Sequence, residues 1–502
     1  MGIRAEHDSL EVFLKGALSD DDRRRVLFVS FTQWGFALAA LADTASCLSR
    51  MGSEPVLAFW GASTPMHDTG WSTNHTIAQV LRSPARDQRV REALLAGGIP
   101  RSAVAKPPIR HWHPSQPINI DRAMNRSEIK ALEYYGSPMG RAMLQVRTLT
   151  DTPVTDAYYW PRRLLELAAR SYAYAYDQTA QLIRERGITA VAVYNGRFLH
   201  DRAASAAAQA AGVPVLYYDT GGIDTDFDLT DSVTHDWTDL QRRMLGLYDT
   251  WPADERDEIG GSWFTDRLNH KAPDNALFVE AQERGTSIER PDTKCLVAYF
   301  SSSGDEIAEL ELDWSQFIGD QPDALKILAD LCREKDGYTL VIRSHPHKRM
   351  KPKLDVEEWH AAVAEARPDI HIDEHSPIDS YELMRQADIV VTYGSTTGVE
   401  AAFAGKPVIV LGPSAYDQLG CAVLPHTPAE LSEALDNLEP GSWPGAVSYG
   451  LMMRRRGFTY ESVTRLPGGG HALGGVAFED SRPLVRHISH LMGRLQKWKS
   501  TR

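Results

Sequence analysis

The amino-acid sequence predicts an α/β protein with two Rossmann-like, doubly wound domains. Continuous apolar runs of about five residues alternate with helix-like segments in both halves of the chain, a pattern typical of parallel strands buried on both faces. Polar residues follow most of these runs, at the strand ends where open α/β sheets bind ligands. The chain of 502 residues is also longer than one ordinary hydrophobic core accommodates.

The composition is that of a soluble protein and disfavours several classes of function. Hydrophobic residues make up 43% and charged residues 24% of the chain. The net charge of -13 argues against nucleic acid as a partner, because such binding depends on phosphate neutralisation. The four cysteines have no paired spacing, which favours reduced thiols. We expect a cytoplasmic protein, since no signal peptide or long apolar run is found.

The first predicted domain spans residues 1–280 and begins with a strand–helix–strand unit. Its strands are predicted at Arg25–Ser30 and Pro55–Trp60. Gln33 lies in the turn after the first strand, where it would face a ligand cleft, although the turn is not a dinucleotide-binding GxGxxG motif.

A weakly periodic segment, residues 61–155, is predicted to be an insertion into this domain. It contains His111-Trp-His-Pro114, which we interpret as a surface loop rather than a metal site because no third ligand has suitable spacing. A long helix is predicted at Arg162–Arg186.

Two further buried strands are predicted at Ile188–Tyr194 and Val213–Tyr218. Asn195 and Arg197 follow the first of them, and Asp219 follows the second. Since parallel strands end at one edge of a sheet, these side chains are candidates for one binding site.

The acidic run Asp224–Asp228 follows these strands and suggests a metal site at first sight. It lacks the turn glycine and the glutamate of a calcium loop, so a solvated loop is the preferred interpretation. We expect no metal site in the chain.

The second predicted domain spans residues 281–440 and begins with the strand Lys294–Phe300. The turn after this strand supplies hydrogen-bond donors for a phosphate or a sugar and consists of Ser301, Ser302, Ser303 and Gly304.

Two more strands of this domain end in polar motifs. Arg343-Ser-His-Pro346 closes one apolar run, and His345 within it is either a ligand or an ordinary structural histidine. Ser395, Thr396 and Thr397 stand between a strand and a helix, where amides and hydroxyls hold phosphate groups. The convergence of three polar turns at one sheet edge favours a nucleotide site.

Helix-start patterns allow structural roles for some of these residues. Ser376-Pro-Ile-Asp379 predicts an N-cap followed by proline in the first turn. Thr397-Gly-Val-Glu400 has the pattern of a capping box, so Glu400 is either a cap or a ligand for a ribose hydroxyl. Residues 441–502 predict a helical tail that packs back on both domains, and its basic end allows peripheral contact with a membrane.

Three motifs of the second half resemble those of capsular polysaccharide biosynthesis proteins, which include bacterial 3-deoxy-manno-octulosonate transferases. They are Arg343-Ser-His-Pro346, the segment 376–384 that begins Ser-Pro-Ile-Asp, and the segment 388–402 with Tyr393-Gly-Ser-Thr-Thr397. More distantly, the chain is similar to the CDP-glycerol transferases of teichoic acid synthesis. The resemblance spans about 185–425 and implies a GT-B glycosyltransferase, whose two Rossmann-like domains face a cleft.

The resemblance also implies roles for individual residues. The donor, a nucleotide-sugar, would bind the second domain through His345, Ser395 and Thr396, with Glu400 at the ribose. A saccharide or other hydroxyl acceptor would bind the first domain at Gln33, Asn195, Arg197, Asp224 and His235. Neither a metal ion nor a cofactor is expected, because hydroxyls, amides and a histidine can stabilise the departing phosphate.

Asp219 is the candidate general base that removes the proton of the acceptor hydroxyl. Its alternative role is to brace the following turn, with His235 and Asp224 as reserve bases. Gly221 and Gly222 follow it and would let a substrate approach the backbone.

Three other functions remain open from the sequence. A sugar-nucleotide epimerase has a similar fold but needs no acceptor. A polyol-phosphate transferase cleaves the nucleotide on the other side of the phosphate. A non-catalytic nucleotide-binding subunit or scaffold would turn over nothing.

Overall fold

The computed structural model describes residues 9–18, 24–31, 34–60, 64, 66, 88–105, 112–145, 155–272, 279, 282–302, 316–437, 439–467 and 469–478. Its strands are β1 (Arg25–Ser30), β2 (Glu54–Phe59), β3 (Ala190–Tyr194), β4 (Val215–Thr220), β5 (Asp226–Thr230), β6 (Cys295–Phe300), β7 (Tyr338–Arg343), β8 (Ile370–Ile372), β9 (Ile389–Thr392), β10 (Val408–Val410), β11 (Phe458–Thr459), β12 (Val463–Arg465), β13 (His471–Leu473) and β14 (Val476–Ala477).

The helices alternate with the strands through most of the chain. They are α1 (Leu10–Ala17), α2 (Gly35–Arg50), α3 (Arg126–Lys130), α4 (Met139–Leu144), α5 (Arg162–Arg186), α6 (Leu199–Ala210), α7 (Trp237–Thr250), α8 (Arg256–Leu268), α9 (Gln321–Glu334), α10 (Lys353–Ala366), α11 (Ser380–Gln386), α12 (Thr397–Phe403), α13 (Pro428–Asn437) and α14 (Trp443–Arg455). Residues 88–96 are also helical. Within the described ranges, no helix is long and apolar enough to cross a membrane.

Two separate sheets confirm the predicted α/β class. Among the described residues, the first sheet has the order β11-β5-β4-β3-β1-β2, and the second has the order β10-β9-β6-β7-β8. All pairs of the second sheet are parallel. In the first sheet, β1 to β4 are parallel, while β5 and β11 join as antiparallel strands.

The second sheet has the strand order of a Rossmann domain. Taken in chain order from β6, its five strands run 3-2-1-4-5, and the order reverses between β6 and β9. Ligands of open α/β sheets bind at this switch point, outside the carboxyl ends of the strands. In the first sheet the corresponding point lies between β1 and β3.

Hydrophobic residues cover both faces of each sheet, as the continuous apolar runs predict. In β1, Leu27 and Val29 join a core with α5 and α6, whereas Val26 and Phe28 join a core with α2 on the opposite face. All four side chains are fully buried. This two-sided burial is typical of central strands in doubly wound sheets.

The predicted insertion contributes to the core of the first sheet. Tyr134, Met139 and Met143 are buried in the cluster that α5 and α6 form. Trp112 packs against the same cluster, with its ring 5.3 Å from that of Tyr174. The interpretation as a simple surface loop is therefore wrong for Trp112, while its neighbour His111 lies outside the described residues.

The acidic run predicted as a loop is in fact a strand. In β5, Asp226 and Asp228 alternate with Phe227 and Leu229, and only the latter two belong to the hydrophobic core. Asp228, on the opposite face of the strand, is also buried, and its carboxylate pairs with Arg243 at 2.8 Å. Burial of Phe227 and Leu229 therefore outweighs the turn preference of the aspartates.

Helices α7 and α8 pack on the second sheet, although the predicted boundary at 280 assigns them to the first domain. Met244 of α7 and Phe264 of α8 share a core with Tyr449 of α14 and with β6 and β9. Their apolar faces are thus covered by α14, which follows the second sheet in sequence.

The segment after residue 440 is only partly helical, so the prediction of a helical tail is wrong for 458–478. After α14, β11 returns to the first sheet, and β12 to β14 form a small antiparallel sheet that packs on α2. The carboxylate of buried Asp43 in α2 accepts hydrogen bonds from the backbone N–H groups of 461–463, which fixes this return. Residues 479–502 lie outside the described part.

Candidate functional site

A small pocket opens at the switch point of the second sheet. Its volume is about 80 Å³, and we name it the switch-point pocket. Its lining includes Ser301 after β6, Arg343 and His345 after β7, Ser395, Thr396 and Thr397 after β9, and Glu400 in α12. Seven residues predicted from three separate strand ends therefore meet in one place. The small volume and polar lining of the pocket suit a phosphate group rather than a whole nucleotide.

Ser301 and His345 are joined across the strand ends. The His345 backbone N–H donates to Ser301 Oγ at 2.8 Å, and Ser301 is 1% exposed. The His345 side chain also caps the short 3-10 helix Pro346–Met350, since its Nδ1 accepts from the backbone N–H of His347 at 3.2 Å. His345 therefore has the predicted structural role, as a helix cap, and also lines the switch-point pocket.

His345 presents a neutral hydrogen-bond donor. Burial, with smaller effects of His347 and Lys348, lowers the pKa of His345 to about 3. The ring is neutral near pH 7, and because Nδ1 accepts a hydrogen bond, the proton resides on Nε2. A neutral imidazole with Nε2–H can donate to an anionic oxygen without a change of protonation.

The turn after β9 presents hydroxyl groups. Ser395 Oγ lies 3.2 Å from Thr397 Oγ1 and accepts from the Thr397 backbone N–H at 3.3 Å. The Tyr416 hydroxyl donates to the Ser395 carbonyl at 2.5 Å, and this hydrogen bond fixes the backbone of the turn. The positions of the Ser395 and Thr397 hydroxyls are therefore set before any ligand binds.

Arg343 lines the pocket but braces a neighbouring loop. Its guanidinium, 2% exposed, donates to the carbonyls of Asp373, Ser376 and Ile378 and to Ser380 Oγ. Burial lowers its pKa to about 10, so it stays charged near pH 7. Its donors serve the backbone, which differs from the predicted contact with a ligand.

Glu400 forms a buried ion pair that the sequence does not reveal. Its Oε1 lies 2.6 Å from Arg267 Nε, and the two side chains are 2% and 7% exposed. The Arg267 guanidinium also stacks 4.4 Å from the Trp263 ring centroid. Helix α12 begins at Thr397 with Thr396 as N-cap and without a side-chain cap, so the predicted capping box is wrong.

The N-cap predicted before α11 is shifted by three residues. Asp379, not Ser376, caps this helix by accepting from the backbone N–H of Tyr381 at 2.9 Å. Arg343 holds the Ser376 carbonyl in the loop that precedes the cap.

A larger cleft lies beside the first sheet and includes residues of both halves of the chain. Its volume is about 470 Å³. We name it the large cleft, and it is lined by Asn195 and Arg197 after β3, by His235, and by Pro413 and Asp417 from beyond β10. Gln241 of α7 joins its two sides, since it donates to Asp417 Oδ1 at 2.8 Å.

Three predicted acceptor-side residues meet in the large cleft. Arg197 Nη1 donates to His235 Nε2 at 3.3 Å, so the neutral imidazole carries its proton on Nδ1. Burial, together with the charges of Arg197 and Arg456, lowers the pKa of His235 to about 3. Among the described residues, His235 Nδ1, Arg197 Nε and Asn195 Oδ1 have no hydrogen-bond partner.

Asp219 lies behind this surface, at the end of β4. Its Oδ2 accepts from Asn195 Nδ2 at 2.5 Å, and its Oδ1 accepts from the backbone N–H of Thr220 at 2.7 Å. The predicted bracing role is therefore present, and the Tyr194 hydroxyl adds a further hydrogen bond to this carboxylate. A Cβ at Gly221 or Gly222 would lie 2.5 Å from neighbouring backbone carbon atoms, so both positions require glycine, and both glycines line a third pocket.

Asp224 is separate from the other acceptor-side residues. It pairs with Arg465 of β12 and lines the same third pocket.

Ser302, predicted to bind the donor, contacts Gln321 of α9, whose Oε1 accepts from the Ser302 backbone N–H at 2.7 Å. The remaining predicted residues, Gln33, Ser303 and Gly304, lie outside the described residues. Within the described part of the chain, no three metal-binding side chains cluster.

The chain is therefore an α/β protein with two Rossmann-like sheets. The second sheet has a small pocket at its switch point, and residues of both halves of the chain line the large cleft beside the first sheet. Residues 312–429, about a quarter of the chain, match the family described as capsule polysaccharide biosynthesis protein. This match confirms the predicted resemblance over that segment, which contains β7 to β10.

Similar solved structures include transferases and an epimerase. The beta Kdo 2,7 transferase KpsC of Thermosulfurimonas dismutans is 16% identical, with 55% of this chain and 80% of that chain covered and a TM-score of 0.33. The UDP-GlcNAc 2-epimerase of Neisseria meningitidis, bound to UDP-GlcNAc, is 10% identical, with 86% and 97% covered and a TM-score of 0.28. MurG of Acinetobacter baumannii is 14% identical, with 86% and 94% covered and a TM-score of 0.24.

These likenesses are too weak to assign an activity, so the functional argument depends on the pockets themselves. No curated protein matches the chain in sequence.

Proposed function

We propose that the protein is a GT-B-type glycosyltransferase that moves a sugar from a nucleotide-sugar donor to a hydroxyl acceptor in polysaccharide or glycoconjugate synthesis. The observation that carries this proposal is the meeting of His345, Ser301 and Ser395 in a phosphate-sized pocket at the switch point of the second sheet. This is where Rossmann domains bind nucleotides.

The switch-point pocket has groups suited to a departing nucleotide phosphate. Negative charge grows on this phosphate as the bond to the sugar breaks, and donors held in place stabilise it without reorganisation. His345 supplies Nε2–H, and Thr397 supplies a hydroxyl that the turn already orients, since the Ser395 hydroxyl donates to Thr397 Oγ1. These donors are our basis for proposing transfer without a divalent metal.

The large cleft is the proposed acceptor site. It is larger than the switch-point pocket, both halves of the chain line it, and the polar residues Asn195, Arg197 and His235 are part of its lining. A transferase needs such a second site, whereas an epimerase acts on the donor alone. The large cleft therefore favours transfer.

Asp219 is the proposed general base. The reserve His235 is less suitable, because its Nε2 already accepts from Arg197 and its pKa is lowered to about 3. The reserve Asp224 pairs with Arg465 in a different pocket. The amide of Asn195 holds the Asp219 carboxylate beside the large cleft.

Nucleotide binding tests the proposal first. Thermal shifts with CMP, UDP, GDP and TDP should show one stabilising nucleotide, since a ligand that binds the folded state raises the apparent melting temperature. His345→Ala should reduce this shift. His375→Ala is the matched control in the same domain, because that side chain is 70% exposed and its Nε2 lies 3.7 Å from Glu374 Oε1, beyond hydrogen-bond distance. His360 is unsuitable, since it bonds to the buried carboxylate of Glu374 at 3.0 Å.

Product analysis then separates the alternatives. A transferase releases the nucleotide only as the sugar appears on the acceptor, an epimerase converts the sugar-nucleotide alone, and a polyol-phosphate transferase moves the phosphate as well. Absence of a shift with all four nucleotides, or an equal loss in both histidine variants, would refute the proposed donor site.

A further inference from the structure

A third pocket lies at the carboxyl edge of the first sheet, on the face opposite the large cleft. Its volume is about 320 Å³, and we name it the edge pocket. Phe36 after β1, Thr220 and Asp224 after β4, and Tyr460 and Arg465 near the small sheet are among its lining residues. The carboxyl edge of an α/β sheet is the expected position of a ligand, yet neither the donor nor the acceptor site described above uses this pocket.

The edge pocket combines aromatic rings with charged groups. The Tyr460 ring stacks on Phe227 at 5.2 Å, and its hydroxyl donates to the Phe36 carbonyl at 3.5 Å. Asp224 and Arg465 form an ion pair at the rim. Aromatic faces suit the C–H face of a sugar ring, while carboxylate and guanidinium groups suit its hydroxyls.

Asp226 adds a second carboxylate whose position is fixed. Its Oδ1 accepts from the hydroxyls of Thr225 and Thr459 at 3.1 and 3.0 Å. The small sheet of β12 to β14, which is an addition to the Rossmann-like layers, supplies Arg465 and His471 to the wall. The sheet thus closes one side of a concave, mixed apolar and polar site.

The two pockets of the first sheet lie on either side of Asp219. Along β4, Tyr217 lines the large cleft, and Thr220 lines the edge pocket. Two residues lie between these positions, and the three steps along the strand amount to about 10 Å at the rise of a β-strand. The Thr220 hydroxyl accepts from Arg456 Nη2 at 3.5 Å at the crossing between them.

We infer that the edge pocket binds a further sugar residue of the acceptor, so that the acceptor is an oligosaccharide chain that crosses the sheet edge at Asp219. This inference depends on the proposed function. One sugar cannot fill both pockets, because the strand end lies between them. A chain of linked sugars can place its reacting residue in the large cleft and a second residue against Phe36 and Tyr460.

The test compares acceptors of different length. Bacterial capsule tetrasaccharides are screened by transfer from the sugar-nucleotide, and the best is compared with its monosaccharide and disaccharide fragments. We expect kcat/KM to rise with length. The ratio of tetrasaccharide to monosaccharide kcat/KM should fall about 3- to 10-fold in Phe36→Ala and in Arg465→Ala, the range for loss of one such contact.

The matched control is Arg50→Ala. Arg50 forms a similarly exposed ion pair with Glu461 beside the small sheet, outside the lining of the edge pocket. It should leave the length ratio unchanged. Arg465 is exposed, so its variant decides the matter if Phe36→Ala fails to fold.

The outcomes separate the inference from the proposed function. An equal kcat/KM for all lengths, or a length ratio that both pocket variants leave intact, would overturn the inference while transfer itself continues. Failure to bind any nucleotide and to transfer to any acceptor would instead refute the proposed function, and the inference with it.

Discussion

The buried ion pair between Arg267 and Glu400 allows the sharpest test of the structure. The Arg267 guanidinium lies 2.6 Å from a carboxylate that is 2% exposed. Arg267→Met keeps most of the side-chain length but leaves the Glu400 charge without its cation. Glu400→Leu leaves the guanidinium uncompensated in the same way.

The expected loss of stability follows from burial. Removal of one partner of a buried pair costs about 3–5 kcal/mol, because the remaining charge stays out of water. For a domain of this size, such a loss lowers the melting temperature by roughly 6–20 °C. The double variant Arg267→Met/Glu400→Leu should recover much of the loss, since no buried charge then remains.

Thermal unfolding of the two single variants and the double variant measures this coupling. Arg162→Met is the matched control, because Arg162 and Glu166 form a pair that is 56% and 36% exposed, and such pairs contribute about 0–1 kcal/mol. A melting temperature lowered by less than about 3 °C in Arg267→Met, or a double variant less stable than either single one, would refute the reasoning.

A further variant, Glu400→Gln, decides the role of Glu400. In the structure its carboxylate is held by Arg267, which leaves one oxygen for a ribose hydroxyl. Glu400→Gln retains the shape of the side chain, so a folded Gln variant with unchanged nucleotide affinity would assign Glu400 to stability alone. Weakened affinity in a folded variant would assign it to the ribose as well.

Further predictions concern the proposed chemistry. His345→Ala should lower kcat/KM for the donor by about 2–4 kcal/mol of transition-state stabilisation, and His375→Ala should not. Turnover should persist in EDTA. Loss of turnover in EDTA that magnesium or manganese restores would instead indicate a metal site, with Asp224 as a candidate ligand. Asp219→Asn should lower kcat about 10²–10⁴-fold with nucleotide affinity unchanged, and a near-normal kcat would contradict its role as base. Burial lowers the pKa of His345 to about 3 in the folded protein. Below about pH 6.5 this histidine is therefore protonated in the unfolded chain but not in the folded one, which favours unfolding. Acid titration of stability should therefore show a decrease from pH 6.5 downward that is smaller in His345→Gln.

The fold was predictable because its central strands are continuous apolar runs. Among the strands that were not predicted are β8, at the edge of the second sheet, and β5, between β4 and β11 of the first. β8, Ile370–Ile372, is too short to give a clear apolar pattern, and β5 contains aspartates, which are typical of loops. The alternation of Asp226 and Asp228 with Phe227 and Leu229 was the available signal for β5.

The switch-point pocket was predictable for a topological reason. Parallel strands end at one edge, so polar residues after β6, β7 and β9 had to come together. Arg267 could not be predicted, because α8 reaches this pocket only by packing on α12 and α14. Tyr460 and Arg465 could not be predicted either, since the return of the chain through β11 depends on the contact between Asp43 and residues 461–463.

Position at a strand end does not by itself assign a role, as Arg343 and His345 show. Both follow β7 and both line the same pocket. The Arg343 guanidinium donates to three carbonyls of the loop 373–378 and so holds this loop against β7. The His345 ring uses Nδ1 for its cap and carries its proton on Nε2. The role of a side chain at a strand end is therefore decided by the backbone groups that fold against it, which for Arg343 lie about 30 residues further along the chain.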